Sequence, residues 1–385
     1  MKILLACQQS AHTYPIPAYG FWRTYFIEGL REAGHEVVEV PEADWARGLL
    51  DLPAGELASW REQTWARVLA MARQIPGLDL FLGYLYPQQV EPSAVAELTS
   101  LGVPAVNFFC DNVREYRRLP REFAPFTLHW VPEYAALALY AERHWKTVFA
   151  PMPCWVPPEL RHLPTAEERV VRFIGRGDDL RRALLSGVGS AGLPLAVYGR
   201  GWTTLDVSPS PLAPTFRQRV DDWANFYRRQ GPGRTLRRLV AHGRPAPATA
   251  PAACEAWLRP SPQDADYARL LAGAAVALGI NRFPDVGRPG TFDVYSRLRD
   301  IEAPMLGACY LTEWAPELPE RFELGREIEI YHDSAELIDK ARALLANDAH
   351  RTALRVAGQR RALAEHTVGH TVSRIAHALG LSTIS

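Results

Sequence analysis

The chain has 385 residues, with 43 Lys and Arg against 43 Asp and Glu and an apolar fraction of 48%. That length suits two cores. The formal charge of zero argues against a general affinity for nucleic acid or anionic membrane, which shows as a basic excess, although cations do cluster over 217–244. Cys7, Cys110, Cys154, Cys254 and Cys309 are scattered without C-x-x-C spacing, so buried free thiols in a reducing compartment are expected and a zinc site is not.

The first strand is predicted over Ile3–Cys7. Its five-residue apolar run is too short for a signal peptide, and no window reaches the length of a membrane span, so the chain reads as cytoplasmic. A helix over Phe21–Ala33, stopped by Gly34, leads to a strand over Glu36–Val40. Trp60–Gln74 reads as a helix, Leu78–Leu82 as a strand, Pro92–Leu101 as a helix, and Ala105–Cys110 as a strand with Asp111 at its carboxyl end. Such alternation is the signature of a parallel sheet wrapped by helices. Ligands of open sheets collect outside the carboxyl ends of strands, so the loops at 8–20, 83–90 and 111–118 form the expected mouth of this first domain.

Leu128–Val131 and Val148–Ala150 close that sheet. Four prolines within 151–158 cannot continue a helix or central strand and mark the boundary between a domain over 1–155 and one over 159–369. The second domain opens with a strand over Val170–Ile174, the turn Gly175-Arg176-Gly177, a helix over 178–190 and a strand over Leu195–Tyr198. Residues 205–262 read as an insertion. It contains Phe216, Val220, Trp223, Phe226 and Tyr227 at helical spacing, expected to pack internally or between subunits, and a flexible Ala/Pro tract at 244–252. Asp266–Ala275 then reads as a helix, Val276–Asn281 as a strand and 282–294 as a loop.

The densest motif follows. Arg299 and Glu302 stand three apart, on one face of a predicted helix, whose N-terminus offers free N–H groups to phosphate. Gly307 breaks the helix, and an apolar strand ends in Thr312-Glu313. Then come Phe322, Gly325 and Glu327, an amphipathic helix from Ser334, and His366-Thr367. On the residues alone, Arg299 and Glu302 can equally be a helix ion pair, Gly307 a C-cap, Arg181 a solvated helix residue and Glu313 a cap of the next turn.

This ordered set (Arg-x-x-Glu, Gly, Leu-Thr-Glu, Phe-x-x-Gly-x-Glu, His-Thr) resembles the C-terminal half of GT-B glycosyltransferases, specifically the spore-maturation CgeB-like family. The likeness is good over 265–375 and weaker over 1–200; Ile301 replaces the usual aromatic. It implies an α/β protein of GT-B architecture, two Rossmann-like doubly wound parallel-sheet domains facing a cleft, with the final helix, 370–385, packing back on the first. It implies transfer of a sugar from a nucleotide-sugar donor (UDP-, GDP- or dTDP-linked) as co-substrate, with no cofactor and no metal. Gly175, Arg176, Arg181, Arg299, Glu302, Gly307, Thr312 and Glu313 would hold the donor, Glu302 on the ribose hydroxyls and the arginines on the diphosphate. Many retaining members carry an acid eight residues before the ribose glutamate. Val294 stands there, beside Asp293, so Asp293 takes that contact in altered register or the contact is absent. An inverting enzyme needs a base, for which His12 and Asp111 are candidates. The acceptor, whether glycan, lipid-linked, protein or small molecule, does not follow; an oligomer is compatible. A nucleotide-sugar epimerase or hydrolase, or a silent sugar-binding subunit, fits the same architecture.

Overall fold

The computed structural model describes residues 1–14, 19–202, 216–242, 255–262, 264–285 and 291–381. The tract 244–252, Cys254 and the Gly287–Gly290 segment lie outside them. The chain divides into two compact units, one of Met1–Trp155 with His366–Ser385, the other of Val156–Glu365. The proline-rich segment in which they meet is anchored: Met152, Cys154 and Val156 are buried.

Unit 1 alternates strands and helices: β1 (Lys2–Ala6), α1 (Tyr19–Glu32), β2 (Glu36–Glu39), α2 (Ala54–Gln74), β3 (Leu80–Gly83), α3 (Pro92–Ser100), β4 (Ala105–Phe108), α4 (Asn112–Glu115), β5 (Leu128–Val131), α5 (Leu137–Ala141) and β6 (Thr147–Phe149). The strands form one parallel sheet in the order β2-β1-β3-β4-β5-β6. β3, β4 and β5 are buried at every position, which is why they read as short continuous apolar runs without alternation.

Unit 2 holds β7 (Glu168–Ile174), α6 (Asp179–Ser190), β8 (Leu195–Tyr198), α7 (Phe216–His242), β9 (Leu258–Arg259), α8 (Asp264–Ala272), β10 (Ala274–Gly279), β11 (Arg282–Pro284), β12 (Phe292–Val294) and α9 (Arg299–Met305). It continues with β13 (Tyr310–Glu313), α10 (Leu318–Arg321), β14 (Glu329–Tyr331), α11 (Ser334–Ala346) and α12 (Asp348–Glu365). The parallel sheet runs β14-β13-β10-β7-β8-β9, the Rossmann order that reverses at its centre between β7 and β10. Val171, Phe173, Val197, Val276, Leu278, Leu311 and Leu337 form its core. The segment 282–294, expected to be a loop, instead carries the antiparallel hairpin β11–β12. Pro284 is tolerated because the hairpin has only two strands and therefore only edges.

The final helix α13 (Val368–Leu379) belongs to unit 1 and packs on α1. Thr367 caps it, its hydroxyl accepting from the His370 amide. Two glycines permit the close approach: a Cβ at Gly29 would lie 2.7 Å from Val368, and one at Gly369 2.7 Å from Ala33.

Candidate functional site

In unit 2 the strand order reverses between β7 and β10, and the carboxyl ends there are the place where such sheets bind ligands. Arg299, at the start of α9, reaches across that point. Its Nη1 donates to the carbonyl of Ile174, the last residue of β7, and its Nε to the Tyr267 hydroxyl at 3.3 Å. Tyr267 in turn donates to Glu302 Oε2 at 2.5 Å. The two residues of the Arg-x-x-Glu motif are thus joined through a tyrosine of α8. Burial raises the Tyr267 pKa, so it keeps the proton it donates. Burial alone would lower the Arg299 pKa, but Tyr267 and Glu302, with Tyr310, hold it above the usual guanidinium range.

A glycine loop ends each of the neighbouring strands. The parallel ladder continues past β7 and β8, with Gly175 N–H donating to Tyr198 O and Gly177 N–H to Arg200 O, both at 2.8 Å. Gly199 has φ +125°, and a Cβ on it would meet the Gly175 carbonyl at 2.2 Å; one on Gly177 would meet the Gly201 carbonyl at 2.4 Å. Only glycine allows two backbones this close. Carbonyls of both loops are taken by α6: Arg181 Nη1 donates to Arg176 O at 2.8 Å and Arg182 Nη2 to Gly201 O. Asp178 caps that helix, accepting from the Arg181 amide. Arg181 also lies 5.8 Å from the Phe173 ring and 3.4 Å from Asp178, whereas Arg176 and Arg200 are exposed. Arg200 was not singled out in the sequence, although the repeat of Gly-Arg-Gly at two successive strand ends was visible there.

Below the Arg299 cluster sits a buried polar hub. Asp300 accepts from Tyr310 at 2.7 Å, Thr312 at 2.9 Å, Asn281 Nδ2 at 3.0 Å and the Arg297 amide at 2.9 Å. Glu313 accepts from the amides of Asn281 and Arg282 and pairs with the Arg282 guanidinium. Thr312 and Glu313, expected on the donor, are therefore buried and engaged in tying β13 to β10.

The remaining expectations are distributed as follows. Gly307 has φ +71° and precedes β13, so it lies at the amino edge of the sheet, away from the carboxyl ends that carry Arg299. Its carbonyl accepts from Arg355 at 2.9 Å. It is a turn residue and not part of the cluster. The start of α9 offers phosphate little: the amides of Asp300, Ile301 and Glu302 already donate to Arg297 and Leu298 carbonyls. Asp293, on β12, is half exposed and 3.9 Å from Arg234. An Asp-x-Asp spacing, Asp264-Ala265-Asp266, opens α8; Asp266 pairs with Arg269 at 2.7 Å.

In unit 1, Asp111 follows β4 and its carboxylate lies 3.8 Å from Arg114. Glu133, just past β5, is wholly buried and accepts from the Val113 amide at 3.3 Å. Burial, with Asp111 nearby, pushes the Glu133 pKa up to about 8. His12 is exposed, its amide donating to Ser10 Oγ and its ring 6.1 Å from Tyr14. Gln8, at the carboxyl end of β1 where this sheet reverses, is buried with φ +45°, a conformation uncommon outside glycine.

Two all-parallel Rossmann-like sheets, one in each compact unit, are the architecture of the GT-B class of glycosyltransferases. The glycosyl transferase-like family matches residues 179–377, more than half of the chain, and the chain belongs to it. Among solved structures, Anabaena HepE in complex with UDP is similar at 14% identity and a TM-score of 0.54, covering 99% of this chain and 100% of that one. Sucrose-phosphate synthase from Thermosynechococcus elongatus is similar at 14% identity and a TM-score of 0.59, with 98% of each chain covered. The DNA-modifying β-glucosyltransferase, crystallised with and without uridine diphosphoglucose, is similar at 13% identity and a TM-score of 0.52, covering 99% of this chain and 100% of that one. A comparison with curated proteins gave no match.

Proposed function

We propose that the chain is a CgeB-like hexosyltransferase of the cytoplasm that transfers a sugar from a nucleotide-sugar donor to a hydroxyl acceptor without a metal. The observation that carries this reading is the Arg299–Tyr267–Glu302 chain at the reversal point of unit 2. A carboxylate held there by a tyrosine suits the two ribose hydroxyls. Arg176 and Arg200, exposed on the paired glycine loops beside it, suit the diphosphate, and Arg181 supports their loop as well as adding charge. Charge building on the departing diphosphate is what the site has to stabilise, and losing one preorganised donor typically costs about 10² to 10³ in rate. Asp111 is the proposed base on unit 1, with His12 the alternative. One solved protein of similar fold, Anabaena HepE, is in complex with UDP and with UDP-glucose, which makes a uridine diphosphate sugar the first donor to assay.

The test is nucleotide release from UDP-, GDP- and dTDP-sugars, with and without an acceptor library and with excess chelator. Acceptor-dependent release that survives chelator supports the reading. Release from donor alone identifies a hydrolase or epimerase. Loss in chelator with rescue by Mn²⁺ points to Asp264-Ala265-Asp266 and overturns metal independence.

A further inference from the structure

The second arm of α7 has its polar face inward. Over residues 223–240 the sequence contains five arginines and no acid, in a chain whose formal charge is zero. At Gly231 the backbone takes φ 77°, ψ 175°, and Pro232 follows, so α7 is two helical arms. They fold together through Arg238, whose guanidinium lies 4.9 Å from the Trp223 ring and 4.4 Å from Phe226. Arg234, one turn before, pairs with Asp285 of the β11–β12 hairpin at 2.7 Å and donates to Gln230 at 3.0 Å. Residues four apart share a helix face, so Arg234 and Arg238 hold this arm to its own unit.

The other face is apolar and open. Leu236, Leu239 and Val240 stand at helical spacing and are 63%, 59% and 58% exposed. Tyr227 on the first arm is 52% exposed and Val220 49%, so among the described side chains of the face expected to pack, Trp223 and Phe226 do so and these two do not; the Phe216 side chain lies outside the described ones. Arg228, Arg229 and Arg237 are exposed around the stripe. A surface helix ordinarily turns its apolar stripe inward, and an apolar stripe turned outward marks an interaction surface.

We propose that this arm docks on an anionic lipid surface, with Leu236, Leu239 and Val240 entering the headgroup–acyl boundary and Arg228 and Arg237 lying among lipid phosphates. Charge selects this occupant. A basic helix with an apolar face seats in an anionic interface, whereas a second copy would oppose like charges across the contact. Three aliphatic side chains also fall well short of the roughly 1,200 Å² of a stable protein interface. No helix of the described residues is long and apolar enough to cross a membrane, so the contact is peripheral. One such segment gives reversible, salt-sensitive binding.

Co-sedimentation of the full chain with phosphatidylcholine vesicles, with and without phosphatidylglycerol, at low and high salt, tests this. The expected result is partition at least about tenfold stronger onto the anionic vesicles, weakened by salt. The variant Leu236→Asn/Leu239→Asn/Val240→Asn should lose binding to both, and Arg228→Gln/Arg237→Gln should lose the anionic preference. These side chains are exposed, so thermal midpoint and UDP binding should match the unchanged protein. The lipid and salt dependence of the unchanged protein stands as a test if a variant fails to fold. Absence of the folded protein from both vesicle pellets overturns the proposal. So does triple-variant binding equal to that of the unchanged chain, or a concentration-dependent dimer that the triple variant abolishes while vesicle binding is absent.

Discussion

The Tyr267 hydroxyl donates to Glu302 Oε2 at 2.5 Å while receiving the Arg299 Nε–H at 3.3 Å. The carboxylate of the Arg-x-x-Glu motif is thereby oriented from within its own unit. Glu302→Gln keeps the shape and loses the charge, and should weaken nucleoside binding by roughly 1.5–3 kcal/mol. Tyr267→Phe should cost about 1 kcal/mol by releasing the carboxylate from its fixed position. Calorimetric titration of uridine and UDP measures both, and unchanged affinity in folded Glu302→Gln protein would mean the nucleotide lies elsewhere.

Arg176 and Arg200 give a different signature. If they meet the diphosphate, Arg176→Ala and Arg200→Ala should each lower UDP affinity about tenfold and leave uridine affinity alone. The UDP binding of the unchanged protein should also weaken with salt more than its uridine binding. Equal losses for nucleoside and nucleotide would assign these arginines to the loop and not to phosphate.

Asp300 should dominate stability near the site. Asp300→Ala leaves the buried hydroxyls of Tyr310 and Thr312 without their shared acceptor, while Asn281 Nδ2 keeps the Glu313 carbonyl at 2.9 Å. Each unsatisfied group costs about 1–3 kcal/mol, so a loss of at least about 2 kcal/mol is expected in denaturant unfolding. Asp300→Asn, which keeps an acceptor oxygen, should lose less.

Unit 1 should show a pH signature from two buried residues, His129 within β5 and Glu133 just past its end. Glu133 keeps its proton up to about pH 8 when folded, because burial raises its pKa. The unfolded chain releases that proton in the ordinary carboxylate range, so stability falls as pH rises between roughly 4.5 and 8, and is flat above. His129 is the mirror case. Burial lowers its pKa to about 3, so stability falls as pH drops from roughly 6.5 towards 3. Glu133→Gln should flatten the upper window and His129→Phe the lower, read as thermal midpoint against pH; an unflattened profile would remove the residue from this role.

The parallel sheets were legible because fully buried strands leave continuous apolar runs: Leu128–Val131 and Leu195–Tyr198 lie where their sequence places them. Pairings that depend on distant partners were not. The β11–β12 hairpin carries Pro284 and only three residues a side, too little pattern to separate strand from loop. Within the site, Arg299 and Glu302 were legible from spacing, but Tyr267 was not, since a tyrosine on an amphipathic helix carries no mark of which hydroxyl partner it will meet. Asp300 looked like a spacer between Arg299 and Glu302. Its importance comes from Asn281 and Thr312, polar groups at strand ends that only the sheet brings together.

The α1–α13 contact has a consequence for biosynthesis. Unit 1 starts the chain, yet its sheet is covered in part by a helix made only after all of unit 2. On the ribosome, the second unit can therefore finish first, while the opening one waits with the Gly29 face of α1 uncovered. That face is where a holding chaperone would find apolar surface, and a chain terminated before Val368 would keep it permanently bare.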